Sequence, residues 1–347
     1  MFKIVDVTGY GNSGKTAISD YLKDFDTVAS FPNHVEFELF RVKNGLVDMY
    51  FSLYENWGLI RSNHSLIEFQ KLIYRIGNDS QKYPFYLGNF KASGHNYNKL
   101  FLNQFIPLSN KYLQSLNEIS YQSFWPYQYF YHSSLKMFFL KIMRKFKFYD
   151  DTVLINLTNR NNFLELTSNY INNLFKTVMQ EQHKIFMLNN SFDFNPDPCL
   201  EILKNGYSII VERDPRDIFA STLSGLDGYV PEIEKKINNN LSIKRKFLGT
   251  NDINLFIQRY KQLRLNEKLT NNPRVFRVRF EDFVLNHEVY SQKLNDFLGI
   301  EVKNKKAENV FFNPDNSKKN VGIWKRYKHL PEIIQIEKEL AEYCYQT

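Results

Sequence analysis

The chain opens on an apolar stretch. Ile4, Val5 and Val7 lie within Phe2–Thr8, which predicts a short buried strand. Gly9 to Ser13 follow as a glycine-rich turn. From Lys15 to Phe25 the apolar residues Ala17, Ile18, Tyr21, Leu22 and Phe25 recur at helical spacing. Strand, loop and helix in this order form the opening unit of a doubly wound α/β sheet. A second strand is expected within Thr27–Phe40. Further on, Val153–Asn156 and Lys184–Leu188 read as strands, with an amphipathic helix over Asn161–Gln180 between them. Tyr207–Val211 is another strand, followed at once by a helix starting near Pro215. Phe276, Val278 and Phe280 alternate with Arg277 and Arg279 as in a half-exposed strand, and a helix through Leu298 comes next.

Residues 45–150 break this rhythm. They are aromatic and mostly helical in pattern, interrupted at Pro84, Pro107 and Pro126. We read them as a large helical insertion, on the acceptor side, within one α/β domain spanning 1–347. The domain is expected to hold a P-loop-type central parallel sheet flanked by helices. No repeat or low-complexity linker argues for a second domain.

Composition changes this picture little. Hydrophobic residues make up 43% of 347, enough for a sizeable core and too many for global disorder. The net charge of +8 suits anionic partners such as a nucleotide, an acidic glycan or a membrane surface. The charge is spread along the chain, so a lysine-biased solvated surface explains it equally well, and nucleic acid is not expected as a partner. Two cysteines, Cys199 and Cys344, give no disulfide framework, and a reducing compartment is the default. Gly9 already opens a functional loop, so no signal peptide is expected. No apolar run approaches the ~18 residues of a spanning helix. The expected location is cytoplasmic, with peripheral membrane contact as the alternative.

The sharpest motif is Gly9-Tyr10-Gly11-Asn12-Ser13-Gly14-Lys15-Thr16, a full match to G-x-x-x-x-G-K-[ST]. Glycines let backbone N–H groups converge on phosphate oxygens, and the helix beginning beside Lys15 adds its positive end. The preceding strand and following helix are the context this motif needs. A kinase or ATPase would use the same loop with ATP and Mg²⁺, held by Thr16 and an acid closing another strand. Lys184–Leu188 runs into Asn189 and Asn190. Glu212, after Tyr207–Val211, is the acid left to serve, and a P-loop small-molecule kinase stays as the rival reading.

A second motif, Arg213-Asp214-Pro215-Arg216-Asp217, stands at a strand's carboxyl end. Pro215 suits the first helical position. Asp214 suits the N-cap, and Asp217 three residues on makes an approximate capping box. Arg213 is thereby held at the turn, with Ser221 about two turns along the helix. An arginine fork and a hydroxyl so placed can grip one phosphate from two sides.

At this point the chain resembles the sulfotransferase superfamily that uses 3′-phosphoadenosine 5′-phosphosulfate. That family pairs a P-loop-like loop for the 5′-phosphosulfate with an R-x-P-R-D-x-x-x-S segment for the 3′-phosphate, here Arg213 to Ser221. Arg277-Val278-Arg279-Phe280-Glu281-Asp282-Phe283, with Leu294 to Ile300, is similar to its strand, acidic turn and F-L-G-I helix end. Ser317-Lys318-Lys319-Asn320-Val321-Gly322-Ile323-Trp324-Lys325 is similar to its C-terminal closing loop ending in G-x-W-K. The four elements keep the family's order over residues 9–325, while 45–150 carries no match. The resemblance implies a nucleotide site of Gly11, Asn12, Ser13, Gly14, Lys15, Thr16, Arg213, Ser221, Lys318, Lys319, Gly322 and Trp324. It implies sulfuryl transfer to a hydroxyl or amine, with no metal expected. Family analogy points to a glycan or glycolipid acceptor.

Two departures stand out. The family usually has Lys or Arg where Asn12 stands and Thr where Lys15 stands. Either Lys15 takes over neutralisation of the leaving phosphate, or the donor differs. The closing loop offers Lys318 and Lys319 in place of the usual arginine-lysine-glycine opening. The general base should stand near the end of the strand after the first helix. Glu38, in Glu38-Leu39-Phe40-Arg41, is the first candidate, Glu36 the second and His34 the third, against the plain reading of all three as solvated charges. His95 is a loop histidine of lower standing. The run Phe124–Tyr131 reads as core, with stacking on sugar faces as the alternative. Lys136–Lys147 reads as a surface helix packed on its own core with snorkelling lysines, the alternative being a helix lying on a membrane.

Overall fold

The computed structural model describes residues 2–32, 35–77, 96–146, 151–223, 252–302 and 310–346. The described residues of Met1–Phe37 and Met179–Thr347 form one compact unit, and those of Glu38–Asp79 and His95–Val178 form a second.

The first unit is built on a parallel five-stranded sheet. Its strands are β1 (Lys3–Thr8), β2 (Val28–Ser30), β3 (Ile185–Asn189), β4 (Gly206–Glu212) and β5 (Val275–Arg279), in the spatial order β2-β3-β1-β4-β5. β1 is central, with Val5 opposite both Met187 and Tyr207. Five of its six residues are buried, as its near-continuous apolar run requires of a strand covered on both faces. Helix α1 (Lys15–Lys23) buries Ile18, Tyr21 and Leu22 against Val5, Val7, Ile209 and Val211. The helix His287–Leu298 adds Leu294 and Leu298 to that layer. A second apolar cluster joins Tyr10, Ile218, Phe219, Phe256, Tyr260 and Ile336. The chain leaves β1 toward β2 and leaves β4 toward β5, on the opposite side. The carboxyl ends of β1 and β4 therefore flank the switch point of the sheet, where open α/β sheets bind their ligands.

The second unit holds the helices Leu59–Gly77, Phe105–Leu116, Ser134–Lys145 and Arg160–Lys176 and a two-stranded antiparallel sheet. Phe105–Leu116 and Arg160–Lys176 pack through the stacked rings of Tyr112 and Tyr170, 4.6 Å apart. The Tyr112 and Thr167 hydroxyls, and those of Ser109 and Tyr170, hydrogen-bond at 2.6 Å.

Three expectations are corrected here. Asp151–Ile155 is a strand, but it pairs with Ile119–Ser123 and not with the central sheet. The aromatic run is not core: none of Pro126–Tyr131 is buried. In the helix Ser134–Lys145 only Leu140 is buried, so its apolar stripe does not pack on a core of its own. Among the described residues, no helix is long and apolar enough to cross a membrane.

Candidate nucleotide site at the switch point

The glycine loop leaves β1 at Thr8 and closes on itself through Ser13 N–H donating to the Tyr10 carbonyl, 3.0 Å. A Cβ on Gly9 would collide with the Val211 carbonyl of β4 and with Ser13 Oγ. Gly14 stands at φ +87°, and a Cβ there would enter the Phe280 ring. Asn12 adopts φ +63°. Asparagine tolerates this left-handed backbone better than longer or branched side chains, which gives a local physical reason for its place in the loop. Tyr10 is buried, its ring 5.5 Å from Tyr260 and 6.0 Å from Phe256.

Helix α1 starts at Gly14 with no side-chain cap and no acid in its first turn, so its positive end faces the loop. Lys15 Nζ reaches back to the Gly9 carbonyl at 2.8 Å. Ser13 Oγ is buried without a hydrogen-bond partner, and Thr16 is exposed.

Arg213 follows β4 directly and is only 5% exposed. Its Nη1 donates to the Asn12 carbonyl at 2.8 Å and lies 3.4 Å from Ser221 Oγ. Its Nη2 donates to the Asn320 carbonyl at 2.6 Å. The guanidinium sits 4.9 Å from the centre of the Phe280 ring. Burial pulls its pKa down, against the raising effect of Asp217, Glu281 and Asp214. Its Nε is buried without a hydrogen-bond partner. One guanidinium thus touches all four sequence motifs: the glycine loop, Ser221, Phe280 and the C-terminal loop.

The turn that holds Arg213 differs from the expected capping box. Pro215 opens the helix Pro215–Ser221, and Asp214 caps it by accepting from Arg216 N–H at 2.8 Å. The Asp214 N–H goes not to Asp217 but to Glu281 Oε1, 2.8 Å away. Asp217 is thereby free to accept from Gly322 N–H at 2.7 Å and from Trp324 N–H at 3.0 Å. Gly322 stands at φ +72°, and the Arg216 guanidinium covers the Trp324 ring at 3.9 Å. Asp217 is therefore the clasp of the C-terminal loop. Burial raises its pKa, against those two N–H groups and Arg213.

Glu281 is fully buried, its Oε2 has no hydrogen-bond partner, and burial pushes its carboxyl up to about 7. Asp217, Asn320, Phe280 and Glu281 were missed as site residues. Phe280 and Glu281 lay inside a recognised motif, and Asp217's spacing pointed to a cap. Asn320 also lies inside a recognised motif, the closing loop, but it acts through its backbone carbonyl, which no residue type signals.

Lys318 pairs with Asp315 at 2.9 Å, and Lys319 is exposed. Glu212, the acid a metal-dependent kinase would need, pairs with Arg264 at 2.9 Å. Asp6, within β1, accepts from the N–H groups of Ser191 and Phe192 at 2.8 and 3.1 Å. Among the described residues, no group of three or more His, Cys, Asp and Glu is placed to hold a metal ion.

Of the candidate bases, Glu36 is half-buried in the first unit. Glu38 belongs to the second unit, where Arg41 holds its carboxylate by two hydrogen bonds of 2.8 Å. Its N–H donates to the Tyr97 hydroxyl at 2.9 Å. His34 and His95 lie outside the described residues.

The residues around the loop fit a phosphorylated nucleotide. Glycines, an uncapped helix start, an ammonium, a buried hydroxyl and a buried guanidinium are the groups an anion site at a sheet's switch point would use. Comparison with protein-family models and with curated proteins gives no match. Among solved structures, the chain is similar to the sulfotransferase domain from the curacin biosynthetic pathway. The TM-score is 0.41 and the identity 10%, over 98% of this chain and 97% of that one. Sulfotransferase structures are what this chain is similar to. Another is a sulfotransferase from Mycobacterium tuberculosis, at TM-score 0.39 and 10% identity, over 99% of this chain and 77% of that one. A third is retinol dehydratase in complex with androsterone and inactive cofactor PAP, at 0.34 and 12%, over 98% and 80%.

Proposed function

We propose that the protein is a sulfotransferase that moves a sulfuryl group from 3′-phosphoadenosine 5′-phosphosulfate to a hydroxyl or amine, on a carbohydrate acceptor. The observation that carries this reading is Arg213, whose single guanidinium joins the glycine loop to Ser221 and the C-terminal loop. A P-loop alone serves many nucleotides. A second, buried cation beside it, paired with a hydroxyl, suits a nucleotide phosphorylated at two places.

The donor supplies the sulfuryl group. Loop amides of Gly11, Asn12 and Gly14 to Thr16, the start of α1 and the Ser13 and Thr16 hydroxyls hold the 5′ end. Arg213 and Ser221 bind the 3′-phosphate. Lys15 stabilises charge on the leaving phosphate. Asp217 holds Gly322 and Trp324 so that the C-terminal loop, with Lys318 and Lys319, covers the nucleotide and limits water. Glu38 is the first candidate for the base that takes the acceptor proton, its carboxylate oriented by Arg41; Glu36 and His34 follow. Residues 45–150 are assigned the acceptor side. Exposed Tyr127 and Phe130 support a carbohydrate there, since aromatic faces left in water offer stacking surfaces.

Thermal melting with added ligand tests the reading. 3′,5′-Adenosine bisphosphate without metal should raise the melting temperature, a gain of about 2.7 kcal/mol at ~100-fold over its dissociation constant. Stabilisation by ATP with Mg²⁺ and none by the bisphosphate would move the protein to the kinase reading.

A further inference from the structure

The helix Ser134–Lys145 lies in the second unit with its apolar side turned outward. Its Ser133 cap accepts from Lys136 N–H, and no acidic residue occurs from Ser133 to Phe146. Met137, Leu140 and Arg144 share the inward face, and Leu140 is the buried one. Leu135, Phe139, Ile142 and Phe146 recur at helical spacing on the opposite face, bordered by Phe138 and Met143. These six side chains are each between 40% and 75% exposed. Lys141 and Lys145 flank the apolar band on one edge and Lys136 on the other.

This orientation is fixed by a specific clamp. Arg144 on the inward face bonds the carboxylate of Asp151, which is 1% exposed. The same guanidinium lies 4.6 Å from the Phe124 ring centre and 4.7 Å from that of Tyr129. Asp151 also accepts from Trp125 N–H at 3.0 Å. Rotating the helix to bury its phenylalanines would break this ion pair and leave the Asp151 charge buried without it. The fold thus spends its inward face on a polar anchor and turns a phenylalanine-rich face to water, the reverse of an ordinary surface helix.

We propose that this face docks the protein on an anionic lipid bilayer. The phenylalanines, Leu135 and Ile142 enter the acyl boundary, and Lys136, Lys141 and Lys145 meet the headgroups. Charge complementarity selects this occupant. A second copy would bring the same cationic rim against itself, whereas anionic headgroups surrounding an apolar interior match both the band and its edges. The proposal does not depend on what the glycine loop binds.

The test is cosedimentation of the full chain with vesicles of phosphatidylcholine, with and without phosphatidylserine, at low and high salt. The chain should sediment with phosphatidylserine vesicles and be released in part by salt. Phe139→Ser with Ile142→Ser should abolish sedimentation at either salt while leaving melting unchanged, since both side chains are exposed. Each of Lys136→Gln, Lys141→Gln and Lys145→Gln should lower partitioning about fivefold. Failure of the wild-type chain to sediment at low salt would overturn the proposal. So would undiminished binding of the double serine variant, which would show adsorption by net charge alone. A dimer on gel filtration that Phe139→Ser disperses would assign the face to a second copy instead.

Discussion

The Arg213 Nη1 atom lies 2.8 Å from the carbonyl oxygen of Asn12, a residue 201 positions earlier in the chain. The contact brings the turn after β4 onto the loop after β1, across adjacent parallel strands. Holding the Asn12 carbonyl through Nη1 and the Asn320 carbonyl through Nη2 needs a planar fork, which lysine cannot supply in the same geometry.

Arg213→Ala should weaken 3′,5′-adenosine bisphosphate by roughly 10- to 100-fold, the scale of lost hydrogen bonds to a charged group. Adenosine 5′-phosphosulfate, which lacks the 3′-phosphate, should change little. Arg213→Lys, which keeps the charge and loses the fork, separates binding from folding. Equal losses for both nucleotides in both variants would remove Arg213 from the 3′-phosphate.

Lys15→Met should lower single-turnover rate by about two to three orders of magnitude, as for loss of one preorganised charge-stabilising donor. Bisphosphate affinity should fall less, because the loop amides, Arg213 and Ser221 remain. A surviving rate with collapsed affinity would make Lys15 a binding residue and shift the neutralising charge to Lys318 or Lys319.

Asp217→Asn keeps the side chain's size but can accept only one of the Gly322 and Trp324 N–H groups well. Limited digestion with trypsin should then cut faster at Lys318, Lys319 and Lys325, and bisphosphate should restore protection. Unchanged cleavage rates would show that Asp217 does not hold the loop.

Burial disfavours the Glu281 charge and pushes its carboxyl from an ordinary 4.5 up to about 7. A raised carboxyl pKa means the folded protein binds more protons than the unfolded chain between these values. Its contribution to stability is therefore complete below about 4.5 and falls as pH rises through about 7, by up to about 3 kcal/mol. Glu281→Gln should flatten this part of the stability–pH curve measured by urea unfolding. A wild-type-like slope in the variant would assign the dependence to another group, with Glu267, also raised to about 7, the first to examine.

Much of this site could be read from local rules. The β1–loop–α1 unit announces itself because its strand is buried on both faces and its glycines sit where side chains would clash. Arg213 and Ser221 were readable because a proline-started helix fixes their spacing. What escaped depends on partners far along the chain. Asp217 looked like half of a capping box, and only the arrival of Glu281, 67 residues after Asp214, frees it for the C-terminal loop. A strand was legible at Val153–Asn156 and forms as Asp151–Ile155, but its partner was not, since Ile119–Ser123 is short and mostly exposed, with Ile119 and Tyr121 both turned to water. The helix Ser134–Lys145 was legible as amphipathic. Which way it faces is decided by the Arg144–Asp151 pair, which no periodicity encodes.

The most direct measurement is transfer from radiolabelled 3′-phosphoadenosine 5′-phosphosulfate to a panel of carbohydrate hydroxyl and amine acceptors, run with EDTA throughout. The account predicts label on an acceptor, release of 3′,5′-adenosine bisphosphate in equal amount, and loss of both in Lys15→Met. Binding of the bisphosphate with no transfer to any acceptor, or phosphoryl transfer from ATP that EDTA abolishes and Mg²⁺ restores, would contradict it.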